Sequence, residues 1–306
     1  MSTNDPADPT DAIAVRLRSA IDAGDPSAIA AILTDHPAQA RAPIPWGTGP
    51  DPDPDGSADA NADSDSDSDL HPNRSEPLVY APNARFHRRF RGPSIASVAE
   101  ALLAGGAPAD GVHPADALDS GDTPLIAAAS LGQAEIVGLL LDAGADSEIR
   151  RTYPGVPTGT ALDYAAEFGM VEVVDLLVAR GARVDTLRKA AGAGDPAPLS
   201  VFLEASEPPD RLEALRCACV CDRTAVADRL LRERGLDLHA EVRGATLLHW
   251  AAWEGKGRMV RWLVERGADP DRRDANHHLT PIEWAKYRAD GVGPGHGHAD
   301  VIAVLG

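Results

Sequence analysis

Three cysteines fall within one short run, "LRCACVCD", as Cys217, Cys219 and Cys221. A thiol cluster could hold a metal or switch by oxidation. On a helix, however, Cys217 and Cys221 share one face and Cys219 points elsewhere, which is not the geometry of a C-x-x-C knuckle. Small buried side chains are the simpler reading, and an odd number of thiols in one segment argues against a disulfide framework. Histidines offer a second chemistry: His277 and His278 in "NHHLT", His296 and His298 in "GVGPGHGHAD". Neutral imidazoles bind zinc well, but no Cys or carboxylate is fixed beside these by spacing, and their loop is glycine-rich. "DPDPDG" (51–56) copies the first half of a calcium loop, yet its twelfth position is Ala62 rather than Glu, and two prolines stiffen it. "RFHRRFRG" (85–92) interleaves Arg85, Arg88, Arg89 and Arg91 with Phe86 and Phe90. It reads as a worn helix with Arg outward and Phe inward, as a dock for a neighbouring acidic tract, or as a contact for nucleic acid or another anion. No G-x-S-x-G elbow, P-loop, Rossmann glycine fingerprint or H-E-x-x-H helix is present. The protein is therefore read as not an enzyme, with no catalytic residue, no cofactor and no resident metal.

The elements that would position any site are written in a repeated sentence. "TPLIAAASLGQAEIVGLLLDAGAD" begins at Thr123, "TALDYAAEFGMVEVVDLLVARGAR" at Thr160 and "TLLHWAAWEGKGRMVRWLVERGAD" at Thr246. In the first copy Leu125, Ala128 and Ala129, then Ile136, Val137, Leu140 and Leu141, follow the spacing of two amphipathic helices. Thr123 suits a helix N-cap, and Pro124 the first helical position, where a missing N–H costs nothing. Gly132 falls between the helices and Gly144 after the second, where a left-handed residue is needed. A helix pair of this size cannot hide its own apolar stripe, so copies must stack.

The motif G-x-TPLIAAASLGQAEIVGLLLDAGAD resembles an ankyrin repeat, with its TPLHxAA, IVxxLL and GAD elements in order. The resemblance is strongest at 121–146, 160–184 and 246–269. The motif's His stands at His249 only; Ile126, Asp163 and Glu283 occupy its place elsewhere. It implies an all-α solenoid of stacked helix–turn–helix units with short β-turn fingers. Aligning the first apolar residue of each pair (Leu125, Leu162, Leu187, Leu215, Leu248, Ile282) gives steps of 37, 25, 28, 33 and 34 residues. A helix pair needs about 24 residues and a complete repeat about 33, so the fingers near 185 and 208–211 are expected to be pared away. The solenoid is expected over 81–306, with its best repeats at 121–153, 158–185, 243–275 and 279–306. A divergent terminal helix pair is expected at 11–45.

Between them lies a tract of another kind. Residues 49–69 carry eight Asp and no hydrophobe beyond Ala; such a segment cannot bury enough surface to offset its ordering entropy. Residues 1–10 and 46–80 are read as disordered, the latter as an acidic Asp/Ser/Pro linker. Formal net charge is −18, and residues 1–70 hold fourteen Asp, no Glu and three Arg. That balance disfavours binding to phosphate backbones. The start lacks a secretory pattern, and no apolar run approaches the ~18 residues of a membrane span. A cytoplasmic, monomeric protein without membrane contact is expected. Three Lys against 26 Arg suggest a GC-rich bacterial genome.

By resemblance, finger residues and the ends of first helices face a protein partner on the concave side. The positions implied are Asp119, Asp122 and Leu131, then Glu167 and Phe168, then Arg243, Trp253 and Glu254, and finally Tyr287 and Arg288, with Ser120, Ser130 and His277 beside them. The aromatic residues weigh most, since packing does not require them there and aromatic anchors ringed by charge resemble an interaction hot spot. The acidic members Asp119, Asp122, Glu167 and Glu254 suit a mixed or basic partner surface. Non-catalytic recognition of a protein is the expected function. The alternatives are a metal-dependent activity at the C-terminal histidines, or nucleic-acid binding at the 85–91 arginines.

Overall fold

Thr123 holds an extended backbone and accepts a hydrogen bond from the Ile126 amide on its hydroxyl at 3.2 Å, while Pro124 takes the first helical position. The same device recurs where Ser94, Thr186, Asp25 and Asp195 open helices with side-chain oxygens. Gly132 and Gly144 have φ of +70° and +88°, the left-handed turns expected of them. The computed structural model describes residues 9–45, 74–86, 89–111, 122–153, 156–234, 236–292 and 297–306, in two units, Met1–Ala161 and Leu162–Gly306.

The first unit runs α1 (Pro9–Ala23), α2 (Pro26–Asp35), β1 (Ile44–Pro45), β2 (Arg74–Ser75), α3 (Pro77–Phe86), α4 (Ile95–Ala104), α5 (Pro124–Ser130), α6 (Ala134–Asp142), β3 (Arg151–Tyr153) and β4 (Val156–Gly159). The helices pair as α1/α2, α3/α4 and α5/α6; first helices pack on first helices and second on second. Leu125, Ala128, Ala129, Ile136, Val137 and Leu140 are all buried, as their periodicity requires. β1 and β2 form one antiparallel pair, and β3 and β4 another.

One boundary is corrected. Residues 74–80, read as the end of the acidic linker, form β2 and the start of α3. The first helix of that pair lies at Pro77–Phe86 and takes in only Arg85 and Phe86 of the arginine run. The reason is apolar: Leu78, Val79, Tyr80, Ala81 and Ala84 are buried, and the Tyr80 hydroxyl donates to Asp22 at 2.7 Å. The sequence "PLVYA" repeats the Pro-Leu opening of "PLIAA" at 124–128, a signal hidden by Pro82. Residues 46–73 and 1–8 lie outside the described residues, and with them the acidic tract and "DPDPDG".

The second unit runs α7 (Ala161–Glu167), α8 (Val171–Ala179), α9 (Leu187–Ala193), α10 (Pro196–Ala205), α11 (Pro208–Val220), α12 (Thr224–Arg234), β5 (Glu241–Val242), β6 (Ala245–Thr246), α13 (Leu247–Trp253), α14 (Gly257–Glu265), α15 (Pro281–Val292) and α16 (His298–Leu305). Its core joins Leu187, Leu199, Leu215, Val226, Leu230, Leu248, Met259, Val260, Leu263 and Val301. The fingers are unequal, as the short steps imply. Seven residues separate α8 from α9, and two separate α10 from α11. The place of the missing finger at 208–211 is taken by the first turn of α11. A finger does form at β5–β6, paired Glu241 to Thr246 and Val242 to Ala245.

Candidate functional site

In the second unit, the short linkers around α9 and α11 let side chains from distant repeats meet. α9 is lined with small residues: a Cβ on Gly192 would lie 2.7 Å from the Ala166 methyl and 3.5 Å from the Cys221 sulfur. The end of α7 consequently reaches α11 directly. Gly169, at φ +66°, has no room for a side chain, because a Cβ would sit 2.5 Å from the Val220 carbonyl oxygen.

At this junction four charged residues close a ring. Glu167 accepts from Arg216 Nη2 at 2.6 Å on Oε2 and from Arg243 Nη1 at 2.7 Å on Oε1. Glu213 bridges the same two arginines, taking Arg216 Nε at 3.0 Å and Arg243 Nε at 3.0 Å. Arg216 also donates to the Glu167 carbonyl at 3.2 Å and lies 5.3 Å over the Trp250 ring. Glu167 and Arg216 are 7% and 1% exposed. Glu167, expected at the partner face, has its carboxylate turned inward and engaged by both arginines. Arg243 is exposed as a residue, but its guanidinium is committed to the two glutamates. Burial explains the arrangement, since a desolvated carboxylate persists only when paired and hydrogen-bonded.

Arg216 was not singled out by sequence reasoning, although its register carried a signal. It follows Leu215 as His249 follows Leu248, at the place of the repeat's histidine. Each occupant of that place makes a different tie. His249 Nδ1 lies 2.7 Å from the Thr246 hydroxyl and its Nε2 donates to the Leu279 carbonyl at 3.0 Å. Burial lowers the His249 pKa, in keeping with a neutral ring. Glu283 accepts from the Thr280 amide at 2.7 Å and hydroxyl at 2.9 Å. Asp163 meets the buried Lys189 ammonium at 3.3 Å.

Beyond the ring lies a cluster of rings in the other sense. Trp284 is buried at its centre, edge-on to Trp250 at 5.5 Å, to Trp253 at 5.6 Å and to His249 at 5.3 Å. Its indole N–H donates to Asp274 at 3.0 Å. Asp274, unremarked in the sequence, also accepts from the amides of Asn276, His277 and Leu279. Its burial opposes ionisation, but these donors hold its pKa down to about 2. The outer members are the candidates. Tyr287 stacks on Trp253 at 6.2 Å and 19°, and the Arg288 guanidinium lies 5.1 Å over the Trp253 ring. Tyr287 is 67% exposed, whereas Trp253 and Arg288 are half-buried. Glu254 caps the end of α13, half-buried, with its pKa pushed up to about 7 by burial against the pull of Lys256, Arg288 and Arg216. Phe168 is half-buried and stacked on Tyr164 at 6.5 Å.

The first unit holds the other candidates. Asp122 and Leu131 flank α5, both half-buried, and burial raises Asp122 to about 6. Asp119 and Ser120 lie outside the described residues. The thiols of Cys217, Cys219 and Cys221 are fully buried, and burial pushes them up, Cys217 to about 11 and Cys221 to about 12, as core residues rather than nucleophiles. Among the described residues no three of His, Cys, Asp and Glu gather as a metal site requires. His277 and His278 are exposed, His298 is buried with Nε2 bonded to the Trp253 carbonyl at 2.8 Å, and His296 lies outside the described residues. Of the arginine run, Arg89 and Arg91 are described; the Arg91 amide donates to the Asp22 carbonyl at 2.7 Å. The side chain of Arg85 and the whole of Arg88 are not among the described residues. No helix among the described residues is long and apolar enough to cross a membrane.

Stacked helix pairs, with fingers between some of them and a threonine-capped first helix, define a helical-repeat protein. The family model for ankyrin repeats (3 copies) matches residues 92–188 and 187–274, well over half of the 306-residue chain. The chain belongs to the ankyrin-repeat family, whose members are in general protein–protein interaction modules. Among solved structures, the crystal structure of the human ASB11 ankyrin repeat domain is similar at 18% identity, covering 98% of each chain, with a TM-score of 0.34.

Proposed function

We propose that the protein is a non-catalytic binding module, and that its second unit recognises a protein partner at the lip formed by Trp253, Tyr287 and Arg288, with Glu254 and Phe168 alongside. One observation carries this reading: Tyr287 is 67% exposed while stacked on Trp253, an aromatic held outside the core where packing makes no demand for it. Rigid aromatic surface beside a guanidinium is the composition of binding hot spots. Glu167 and Arg243 serve the lip from behind by fixing the helices that carry it. Asp119, Asp122 and Leu131 of the first unit are proposed as secondary contacts. The same reading includes a monomer working in the cytoplasm, consistent with an acidic chain whose three cysteines are free.

The test is comparative capture from the native host. Wild type and a Tyr287→Ala/Arg288→Ala double variant are used as bait, and bound proteins are quantified by mass spectrometry. A partner enriched by wild type and reduced at least about tenfold by the variant, with an unchanged melting curve, is the expected result; about 1.4 kcal/mol of lost contact suffices. Equal recovery of every enriched protein by both baits would reject the lip.

A further inference from the structure

The ring of charges joins parts of the chain that repeat packing alone does not bring together. Glu167 ends the first helix of one pair, and Arg243 stands in the finger before the third pair further on, 76 residues away. The ring has two unlike halves. Its inner half, Arg216 with Glu167, is almost wholly covered, with side chains 2% and 6% exposed. Its outer half is wet: the Arg243 side chain is 35% exposed and Glu213 25%. Burial shields the first pair from salt, whereas the second is open to screening.

Arg243 also occupies a conformation that arginine rarely adopts. Its φ is +53°, followed by Gly244 at +80°, which makes the β5–β6 turn of the kind that favours Asn or Gly at both central positions. Turn chemistry alone would place a glycine there. The residue found instead carries a planar fork that reaches two carboxylates at once, which a lysine could not do. Next to it, the Ala275 amide donates to the Gly244 carbonyl at 2.7 Å and the Asn276 side-chain amide to the Arg243 carbonyl at 2.9 Å. The finger is thus held from below by the following loop and fastened at its tip by Arg243.

We infer that Arg243 is a releasable strap, fastening the β5–β6 finger across the unit onto Glu167 and Glu213, and that its release frees the finger while the buried Glu167–Arg216 pair stays closed. Its use, to loosen the framework behind the face proposed above, rests on that reading, but the strap itself needs no partner to be observed. Fastened, the finger tip covers the carboxylate of Glu167. Released, it leaves the inner pair to hold α7 against α11, so the unit opens without unfolding.

Hydrogen–deuterium exchange on the full chain tests this at about 0.05 M and about 1 M NaCl, where screening lengths differ several-fold. In wild type, the Ala245 and Ala275 amides should exchange about tenfold faster at high salt, while amides at 216–221 on α11 keep their rates. Arg243→Gly, which suits the turn better, should exchange fast in the finger at both salt concentrations. Arg243→Lys, holding one carboxylate at a time, should fall between. Finger protection in Arg243→Gly equal to or above wild type, or a wild-type finger indifferent to salt, would overturn the strap and leave Arg243 a turn residue. Neither outcome touches the capture experiment, which reads Tyr287 and Arg288.

Discussion

The clearest departures from the repeat pattern are single charged residues taken out of water and then matched. Arg216 has two glutamates, one carbonyl and an indole face. Removing one partner of such a group costs more than the pair is worth, because the other is left charged and dry. Glu167→Ala is expected to destabilise the protein by about 3–5 kcal/mol in urea denaturation. Glu213→Ala, at a wetter site where Arg216 keeps Glu167, should cost about 1 kcal/mol. Glu254 makes the opposite case. Its folded pKa, about 7, stands above the ordinary carboxylate value of 4.5. The folded state therefore binds a proton that the unfolded state has released, and this group's contribution to stability falls as pH rises from about 4.5 through 7. Glu254→Gln should raise the melting temperature at pH 8 and leave it near wild type at pH 4. An unchanged melting temperature at pH 8 would show the carboxylate to be solvated.

At the scale of elements, most of the architecture is legible because each device is local. Thr123–Pro124 writes a helix start, Gly132 and Gly144 write the turns, and Leu125 through Leu140 write the buried stripes. Unequal steps between Leu162, Leu187 and Leu215 even show which fingers are missing. α3 escaped notice because Pro82 and the adjacent acidic tract mask an opening, "PLVYA", that otherwise copies 124–128. The closure of the charged ring was not legible, although the register of Arg216 hinted at a tie there. Glu167, Arg216 and Arg243 are brought together by the absence of fingers between them, a consequence of three-dimensional closeness that no spacing in the sequence states. The same closeness yields an element-scale prediction at Gly169. With φ +66° and a carbonyl 2.5 Å from its would-be Cβ, Gly169→Ala should cost about 2 kcal/mol or more in thermal or urea melts, from backbone strain and displaced packing together. A loss under about 0.5 kcal/mol would mean that α7 and α11 do not press together there.

For the molecule as a whole, belonging to the ankyrin-repeat family sets the general role, binding of proteins, and leaves the particular face to be argued from side chains. The face proposed lies in the second unit, where helices held by the Glu167–Arg216 pair and the Asp274 network carry Tyr287 and Arg288 over Trp253. Glu167 and Arg243, two of the charges that look like partner contacts in the sequence, are engaged with each other in holding this shape. Amide exchange of the protein with its captured partner tests this most directly. Slowed exchange is expected at 250–256 and 284–290, with the second helices α14 and α16 unchanged. Protection confined to α14 and α16, or to the first unit alone, would contradict the proposed face.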